Sequence, residues 1–468
     1  MTHTAGIVGG GVIGGGWAAR LTLNGWNVKI YDPDPEASRK ITEVMDNARR
    51  ALPMLVDHDM PAEGELTICA TLEEAAQGAA LIVEAVPERV DIKRKVYAQI
   101  EAVNTDGIIA SSTSGIMPTD LQADMAHPGR LIVGHPFNPV YLLPLVELVA
   151  GEKTDPKAIE TAKEIYASLG MYPLHCRVEI EGFLSDRLQE ALWREALWLL
   201  HDDVATADEI DAAIAYGPGL RWAQMGTMQT FHLAGGEGGM RAMLAMFGPC
   251  LKWPWTKLMD VPDLTEDFVN KVGDQCDVQA GDLVPRDLER IRDDNLVGII
   301  RSLKGGDWGA GRVANTHQKA LMRIPGAEHP MVTQRRVVPV DWTDMNGHMN
   351  EGRYGQLFSD AAEVVMAAVG ADDDYVASGL SYFTVDTTVK YLAETHAGER
   401  IKVHTKVTVG DGKKLRCFHE MRRVSDGELM ATCDQFMLHV SLETRRTCEP
   451  ADHVRKKVEA LASAHAEG

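Results

Sequence analysis

A strand, a glycine-rich loop and a helix follow one another near residue 5, and this order restricts the fold more than any other feature. Ala5-Gly6-Ile7-Val8 is a short apolar strand, and the loop Gly9-Gly10-Gly11-Val12-Ile13-Gly14 follows it directly. Gly9, Gly11 and Gly14 permit a tight turn, close approach of the backbone to a pyrophosphate, and packing of the helix on the strand. The segment therefore predicts a dinucleotide-binding α/β domain.

The next strand indicates which dinucleotide this domain binds. The strand covers residues 27–31 and ends in Asp32. A carboxylate at this point accepts hydrogen bonds from the adenosine ribose hydroxyls and repels a 2′-phosphate. The following Pro33-Asp34-Pro35 contains no arginine that would bind such a phosphate. The pattern favours NAD over NADP.

Further apolar runs at residues 80–86, 107–110 and 131–133 alternate with helical stretches such as 91–102. Strands that alternate with helices predict a parallel, doubly wound sheet of the Rossmann type. Ligands of such sheets lie at the carboxyl ends of the strands. Four polar residues fall at these ends: Glu88, Ser112, Ser114 and His135.

A histidine and a glutamate flank two of the apolar runs. His135 ends one run, and Glu147 lies at the start of the next. A histidine held by a carboxylate beside a bound dinucleotide can take the proton of an alcohol while hydride leaves its carbon. The alternative is a loop histidine and a glutamate at a strand edge, without a common role.

Residues 1 to about 325 resemble the 3-hydroxyacyl-CoA dehydrogenase superfamily. The resemblance rests on Ser112-Thr113-Ser114-Gly115, on His135 followed by Asn138, and on Glu147 at the family's spacing from the histidine. It implies that His135 is the general base, that Glu147 orients it, and that Ser114 hydrogen-bonds the substrate oxygen. It further implies an NAD site that includes Glu88, Lys93, Ser112 and Asn138.

Two of these residues have plain alternatives, and two positions depart from the family. Ser114 also suits a turn that satisfies its own backbone, and Lys93 also suits a solvated helix face. Ser112 replaces the usual asparagine, and Asp186 stands where acyl-CoA dehydrogenases carry a substrate-binding asparagine. A carboxylate is unfavourable beside an anionic substrate and favourable beside a cation. Alternatively, Asp186 pairs with Arg187 or caps a helix.

The pattern becomes helical from Asp186 to Leu321, which predicts an all-α substrate domain. Aromatic residues are concentrated in its loops at Trp222, Phe231, Trp253 and Trp255. Single aromatic rings usually belong to a core. Several around one cleft also suit a cage for a quaternary ammonium group, at about 0.5–2 kcal/mol for each good contact.

Three segments of this domain resemble the L-carnitine dehydrogenases: residues 219–223, 233–236 and 253–258. The resemblance implies NAD-dependent oxidation of L-carnitine to 3-dehydrocarnitine. In that reading the aromatic cage and Asp186 bind the trimethylammonium group, and Arg221 is a candidate for the carboxylate. The related L-gulonate dehydrogenases keep asparagine at the Asp186 position.

A linker at residues 325–330 separates a third segment of different periodicity. A strand at 333–340 and a helix at 350–370 precede strand-like segments at 380–391, 400–409, 414–424 and 429–440, which are joined in part as hairpins. A long helix wrapped by an antiparallel sheet is the hot-dog arrangement. Residues 331 to about 450 resemble the 4-hydroxybenzoyl-CoA thioesterase group of that fold.

The signature of that group is Asp341-Trp342-Thr343-Asp344-Met345-Asn346-Gly347-His348-Met349-Asn350, followed by Tyr354. The resemblance implies that Asp344 attacks a thioester or activates water. Amides at the start of the following helix would polarise the thioester carbonyl. The alternative roles of Asp344 are an Asx turn or an N-cap, and Glu363 is a less favoured catalytic substitute.

Composition limits the partners and the cellular site. The net charge of −21 argues against nucleic acid, and no apolar run approaches a membrane span. The chain has no secretory signal pattern and its seven cysteines lack paired spacing, so we expect a cytoplasmic protein without a metal site. Both resemblances imply a homodimer.

These observations predict three domains: an NAD-binding domain at 1–185, a helical substrate and dimerisation domain at 186–325, and a thioesterase domain at 331–468. The predicted function is oxidation of L-carnitine together with hydrolysis of an acyl-CoA. Known fusions of the two activities point to betainyl-CoA. The alternatives are a 3-hydroxyacyl-CoA or L-gulonate 3-dehydrogenase with an appended thioesterase, and a metabolite-binding or structural protein without activity.

Overall fold

The computed structural model describes residues 3–223, 225–235, 239–248, 256, 265–268, 270, 282–283, 285–321 and 330–466. The chain divides into two compact units. The first comprises Met1–Arg49 and Ala62–His317, and the second comprises Arg50–Pro61 and Gln318–Gly468. The finer division of the first unit at residue 185 stays a prediction.

The first unit contains an eight-stranded sheet of order β3-β2-β1-β4-β5-β6-β7-β8. Its strands are β1 (Thr4–Val8), β2 (Asn27–Tyr31), β3 (Leu66–Ile68), β4 (Leu81–Glu84), β5 (Ile108–Ser111), β6 (Leu131–Pro136), β7 (Leu145–Ala150) and β8 (Tyr172–Cys176). The first six are parallel, whereas β7 runs antiparallel to β6 and parallel to β8. The parallel Rossmann sheet is confirmed, and the strand order reverses direction at β1, where such sheets bind dinucleotides.

Helices surround this sheet because its central strands are apolar on both faces. Every residue of β4, β5 and β6 is buried, as expected of parallel strands with helices on both sides. The helices of this part are α1 (Val12–Leu23), α2 (Ala37–Ala51), α3 (Leu72–Ala76), α4 (Val90–Val103), α5 (Pro118–Leu121) and α6 (Pro156–Ser168), with a 3-10 turn at Pro128–Arg130. Trp17, Tyr97 and Tyr166 are its largest fully buried side chains.

The remainder of the first unit is helical, as predicted. Its helices are α7 (Ser185–His201), α8 (Ala207–Ala215), α9 (Pro218–Trp222), α10 (Thr227–Ala234), α11 (Gly239–Phe247), α12 (Pro285–Gly305) and α13 (Gly309–Leu321), whose last turn belongs to the second unit. Several large apolar side chains of α7 to α10 face solvent, among them Leu188, Leu220, Met228 and Leu233. Trp253, Trp255 and the predicted linker up to residue 329 lie outside the described residues.

The second unit is an antiparallel sheet packed on a long helix, consistent with the hot-dog arrangement. The strands are β9 (Met331–Val337), β10 (Leu380–Tyr391), β11 (Arg400–Gly410), β12 (Lys414–Arg423) and β13 (Leu429–Ser441), in the order β10-β13-β12-β11-β9. The helices are α14 (Glu351–Ala368), α15 (Asp373–Ala377) and α16 (Asp452–Ala466), with 3-10 turns at Leu52–Leu55 and Val340–Trp342.

The core of this unit lies between α14 and the sheet. Leu357, Phe358 and Ala361 of α14 are buried with Val403 of β11 and Met421 of β12. Helix α16, which the sequence analysis did not predict, covers β11, and its buried His465 accepts a hydrogen bond from the Val407 amide (2.9 Å). Within the described ranges of both units, no helix is long and apolar enough to cross a bilayer.

Candidate active sites

The glycine loop between β1 and α1 is shaped to receive a phosphate. Gly9 has a φ of +104°, and a Cβ on Gly14 would overlap the carbonyl oxygen of Gly9. A Cβ on Gly11 would meet nothing within 4 Å, so the open side of the loop is at this glycine. Helix α1 begins at Val12 without a side-chain cap. Its first amides are therefore available to a pyrophosphate, a geometry that fits the predicted NAD contacts of this loop.

Asp32 lies at the end of β2 with both carboxylate oxygens oriented by backbone amides. Oδ2 accepts a hydrogen bond from Gly10 (2.6 Å), and Oδ1 accepts one from Asp34 (2.7 Å). The carboxylate is half-buried and retains lone pairs. The position fits the predicted contact with the ribose hydroxyls of NAD.

A buried glutamate that the sequence analysis did not single out organises the adjacent strand end. Glu84, the last residue of β4, accepts hydrogen bonds from Lys93 Nζ (2.7 Å), the Tyr97 hydroxyl (2.6 Å), Ser111 Oγ (2.7 Å) and the Val86 amide (2.9 Å). Burial, reinforced by the Glu84 charge, raises the pKa of Tyr97 well above its ordinary value. A charged residue inside the apolar run 80–86 was the available signal, because buried carboxylates need partners.

Lys93 belongs to this buried network and does not lie on a solvated helix face. Its side chain is 1% exposed, and its Nζ lies 2.7 Å from Glu84 and 3.3 Å from Oε2 of Glu88. Glu88 in turn accepts hydrogen bonds from the Thr113 hydroxyl and from the Ser114 amide (3.1 Å). The two predicted residues are thus joined, and together they hold the loop that carries Ser114.

The remaining predicted residues near the strand ends have different environments. Ser114 is exposed, and its hydroxyl makes no hydrogen bond within the described part of the chain. Ser112 Oγ accepts a hydrogen bond from Trp17 Nε1 (3.1 Å), and Asn138 is exposed after β6. Ser114 and Asn138 are therefore accessible to ligands.

His135 and Glu147 face each other across the antiparallel pair β6 and β7. They are register partners, and His135 Nδ1 lies 3.0 Å from Glu147 Oε2. Oε1 of the same carboxylate accepts hydrogen bonds from the amides of Leu184 (3.1 Å) and Ser185 (3.0 Å) at the start of α7. Burial alone would raise the pKa of Glu147, but the bonds from His135 and Ser185 hold it below its ordinary value. Glu147 is therefore ionised and fixes the imidazole.

The other nitrogen of His135 faces Asp186. Its Nε2 lies 3.8 Å from Oδ2 of Asp186, whose side chain is 23% exposed in the first turn of α7. Burial raises the pKa of Asp186; the charges of Glu147 and Glu190 add to this, while His135 opposes it. Neither alternative for Asp186 is seen among the described contacts: Arg187 donates to the Glu181 carbonyl (3.3 Å), and the first amides of α7 are bound by Glu147 and not by Asp186.

The proposed ligands of the helical part are not brought to this site by any described contact. Arg221 and Trp222 end the short helix α9, and Phe231 lies on α10 with 45% of its surface exposed. No hydrogen bond, ion pair or ring contact between described residues joins them to His135 or Asp186. Trp253 and Trp255, the other cage candidates, are outside the described ranges.

The second unit carries the predicted thioesterase residue in a tight turn. Oδ1 of Asp344 accepts hydrogen bonds from the amides of Asn346 (2.8 Å) and His348 (3.3 Å). The Asn346 bond is the main reason that the pKa of Asp344 lies below its ordinary value. The Asx turn considered as an alternative is therefore present. The Asn346 side chain also lowers the pKa of Asp344, so the carboxylate is ionised.

Asn350 caps the N-terminus of α14, the helix that follows this turn. Asn350 accepts a hydrogen bond from the Gly352 amide (2.9 Å), so this amide of α14 is already engaged. The buried Tyr354 donates to Thr395 Oγ1 (3.2 Å). Glu363 lies far along the same helix with an exposed side chain. Of the two carboxylates considered, Asp344 lies nearer the start of α14.

Comparisons with known proteins match both units of the chain. Family models match at residues 4–179 (3-hydroxyacyl-CoA dehydrogenase, NAD binding domain), 182–265 (3-hydroxyacyl-CoA dehydrogenase, C-terminal domain) and 338–458 (thioesterase-like superfamily). An L-carnitine dehydrogenase/betainyl-CoA thioesterase of Ruegeria pomeroyi is 53% identical over 99% of this chain and 96% of its own length. An L-carnitine dehydrogenase of Mesorhizobium japonicum is 57% identical over 69% of this chain and 91% of its own.

A solved structure supports the same assignment of the first unit. A 5-formyl-3-hydroxy-2-methylpyridine 4-carboxylic acid 5-dehydrogenase, described as an NAD+-dependent dismutase, aligns with a TM-score of 0.58 at 30% identity. The alignment covers 65% of this chain and 99% of that one. The first unit binds NAD, as its family and its loop geometry indicate. The chain belongs to the family of L-carnitine dehydrogenase/betainyl-CoA thioesterases.

Proposed function

We propose that this protein oxidises L-carnitine to 3-dehydrocarnitine with NAD and hydrolyses betainyl-CoA to betaine and CoA. The observation that carries the first activity is the position of Asp186, whose carboxylate lies 3.8 Å from His135 Nε2. In carnitine, one methylene separates the carbinol carbon from the trimethylammonium nitrogen. A hydroxyl at Nε2 therefore places the cation within reach of this carboxylate.

The side chains of the site divide the work of oxidation. Nε2 of His135 accepts the hydroxyl proton, and Glu147 at Nδ1 stabilises the imidazolium that forms. Ser114 supplies an accessible hydroxyl for the substrate oxygen. NAD supplies the hydride acceptor. The amides of Leu184 and Ser185 fix the far oxygen of Glu147, so the start of α7 positions the base and Asp186 together.

The same carboxylate argues against the alternative dehydrogenases. A 3-hydroxyacyl-CoA presents no cation near its hydroxyl, and L-gulonate is an anion. Either substrate would leave the part-buried carboxylate of Asp186 without an opposite charge, so it forgoes the attraction that a cation gains there. Initial rates of NADH formation with L-carnitine, D-carnitine, L-gulonate and 3-hydroxybutyryl-CoA test the assignment. Faster turnover of either of the last two would contradict it.

Asp344 is the proposed catalytic group of the thioesterase. Its ionised carboxylate is held by two amides of the turn through Oδ1 and keeps further lone pairs, which suits attack on a thioester or activation of water. Asp344→Asn keeps the acceptor of the turn and removes the charge. We expect this variant to lose thioester hydrolysis and to keep carnitine oxidation, whereas Asp341→Asn, a nearby exposed carboxylate, keeps both. Hydrolysis at the normal rate by the Asp344 variant would exclude its role.

We further propose a cytoplasmic homodimer with the predicted three-domain division. The described cysteines are free, which suits a reducing compartment. The exposed apolar side chains of α7 to α10, such as Leu188 at 66% and Met228 at 72%, suit a surface that a second copy covers. Sedimentation of the full chain tests this, and a monomer at micromolar concentration would contradict it.

A further inference from the structure

Two histidines and a glutamate meet at the surface of the second unit, beside the turn that carries Asp344. One ring nitrogen of His348, one of His396 and a carboxylate oxygen of Glu394 all lie within 4.8 Å of one another. His348 Nε2 is 3.4 Å from Glu394 Oε2, and the two imidazole rings are 4.8 Å apart. The sequence analysis did not predict this cluster, because its members come from two separate segments.

The backbone holds these two segments in register. His348 and His396 form an isolated β-bridge, and the Met349 amide donates to the Thr395 carbonyl (2.7 Å). The Thr395 side chain is fully buried and accepts a hydrogen bond from Tyr354 (3.2 Å). The three side chains therefore start from fixed positions, and their convergence does not depend on a mobile loop end.

The carbonyl oxygen of Gly347 determines which ring nitrogen of a neutral His396 carries the proton. Nδ1 of His396 lies 3.2 Å from the Gly347 carbonyl oxygen, which accepts only. The proton of a neutral His396 is therefore on Nδ1, and Nε2 keeps its lone pair. A ring nitrogen tied to a backbone carbonyl is the usual outer-shell arrangement of metal-binding histidines.

The donor set determines the class of ion. Two imidazoles and one carboxylate are typical of zinc sites that leave a fourth position open, whereas calcium and magnesium prefer oxygen ligands throughout. Tetrahedral bonds to Zn²⁺ of ~2.0–2.1 Å place donors ~3.4 Å apart. The cluster must therefore contract, and Glu394, whose side chain is 70% exposed, is free to move.

We propose that His348, Glu394 and His396 bind a zinc-class divalent ion and that the bound ion slows thioester hydrolysis. The His348 amide donates to Asp344 Oδ1 (3.3 Å), so one ligand of the ion would belong to the turn that holds this carboxylate. A divalent charge there opposes the approach of a cationic acyl group to this carboxylate. The effect on hydrolysis rests on the proposed function; the metal binding does not.

Cobalt absorption tests the binding directly. Co²⁺ is titrated into the full-length protein, and its visible bands are followed for the unmodified chain, His396→Ala, Glu394→Gln and the control His453→Ala, an exposed histidine of α16. We expect at least tenfold weaker binding in the first two variants and an unchanged affinity in the control. Equal affinity in all four proteins would overturn the site.

The activity test uses Zn²⁺ on the same proteins. We expect micromolar Zn²⁺ to reduce betainyl-CoA hydrolysis severalfold in the unmodified chain, with recovery on chelation, and to leave carnitine oxidation unaffected. His396→Ala should hydrolyse at the same rate with and without the ion. Equal inhibition of this variant would overturn the coupling to the site. Absence of any hydrolysis by metal-free protein would refute the proposed function, while the cobalt titration would still decide the site.

Discussion

Replacement of Asp186 by asparagine is the sharpest test of substrate choice. Asparagine has nearly the same shape as aspartate, and it stands at this position in the acyl-CoA dehydrogenases that the first unit resembles. It removes the charge that lies 3.8 Å from His135 Nε2 and keeps the first turn of α7 intact. The substitution therefore changes electrostatics at the reacting hydroxyl with little change in packing.

The magnitude follows from Coulomb's law. Two unit charges ~5 Å apart at an effective dielectric constant of ~20 attract by about 3 kcal/mol. Asp186 is 23% exposed, and residual water together with the amide dipole of asparagine reduces this to about 1.4–2.7 kcal/mol. That range is about 10- to 100-fold in kcat/KM. Carnitine carries its cation before and after hydride transfer, so the loss should appear mainly as a higher KM.

Initial-rate assays of NADH formation with L-carnitine measure this change. Glu190→Gln is the matched control, because it removes the same charge one turn later on α7 from an exposed side chain. 3-Hydroxybutyrate, which lacks the ammonium group, reports any general damage to the base. We expect the Asp186 variant to lose carnitine activity and to hold or gain activity on 3-hydroxybutyrate. An unchanged KM for carnitine, or an equal loss on both substrates, would refute the role of Asp186 in binding the cation.

Asp186 should also make the binding of L-carnitine depend on pH. Burial raises the pKa of Asp186, so its carboxylate becomes neutral at a higher pH than an ordinary aspartate. The attraction for a cation is complete above this pKa and is lost as the pH falls through it. The KM for L-carnitine should therefore rise on acidification in the unmodified protein. In Asp186→Asn this component should be absent.

Two further predictions concern the effect of buried ionisable side chains on stability. Lys93→Met leaves Glu84 buried without its cation and should destabilise the first unit by about 3–5 kcal/mol, whereas Lys95→Met on the exposed side of α4 should cost little. Chemical denaturation measures both, and equal midpoints would contradict the network. Burial lowers the pKa of His419 to about 4. The unfolded chain binds the proton at a higher pH, so stability is lost as the pH falls from about 6.5 to 4, by up to about 3 kcal/mol. Calorimetry should show a weaker pH dependence for His419→Gln than for His453→Gln, and identical slopes would exclude this source.

Most of the fold was predictable from local patterns in the sequence. Three patterns were sufficient: the glycines after an apolar strand, the alternation of strands and helices, and the later strand–helix–strand order. Each follows from which side chains of a short segment are buried. Such patterns are local, because the period of a helix or a strand is a few residues. They identified the Rossmann sheet, the helical part and the sheet-and-helix unit, and they placed Gly9, Asp32 and His135 at strand ends.

The decisive contacts of the sites depend on pairing between distant segments. Strand β7 runs antiparallel to β6, and this pairing places Glu147 opposite His135. No local sequence pattern predicts the direction or the register of β7. Asp186 reaches the far nitrogen of the same imidazole from α7, and His396 meets His348 across two loops. The sequence by itself determined which residues of these sites are able to act as acids, bases or ligands. Only the tertiary structure decided which of them meet, since distances between charges depend on how the whole chain packs.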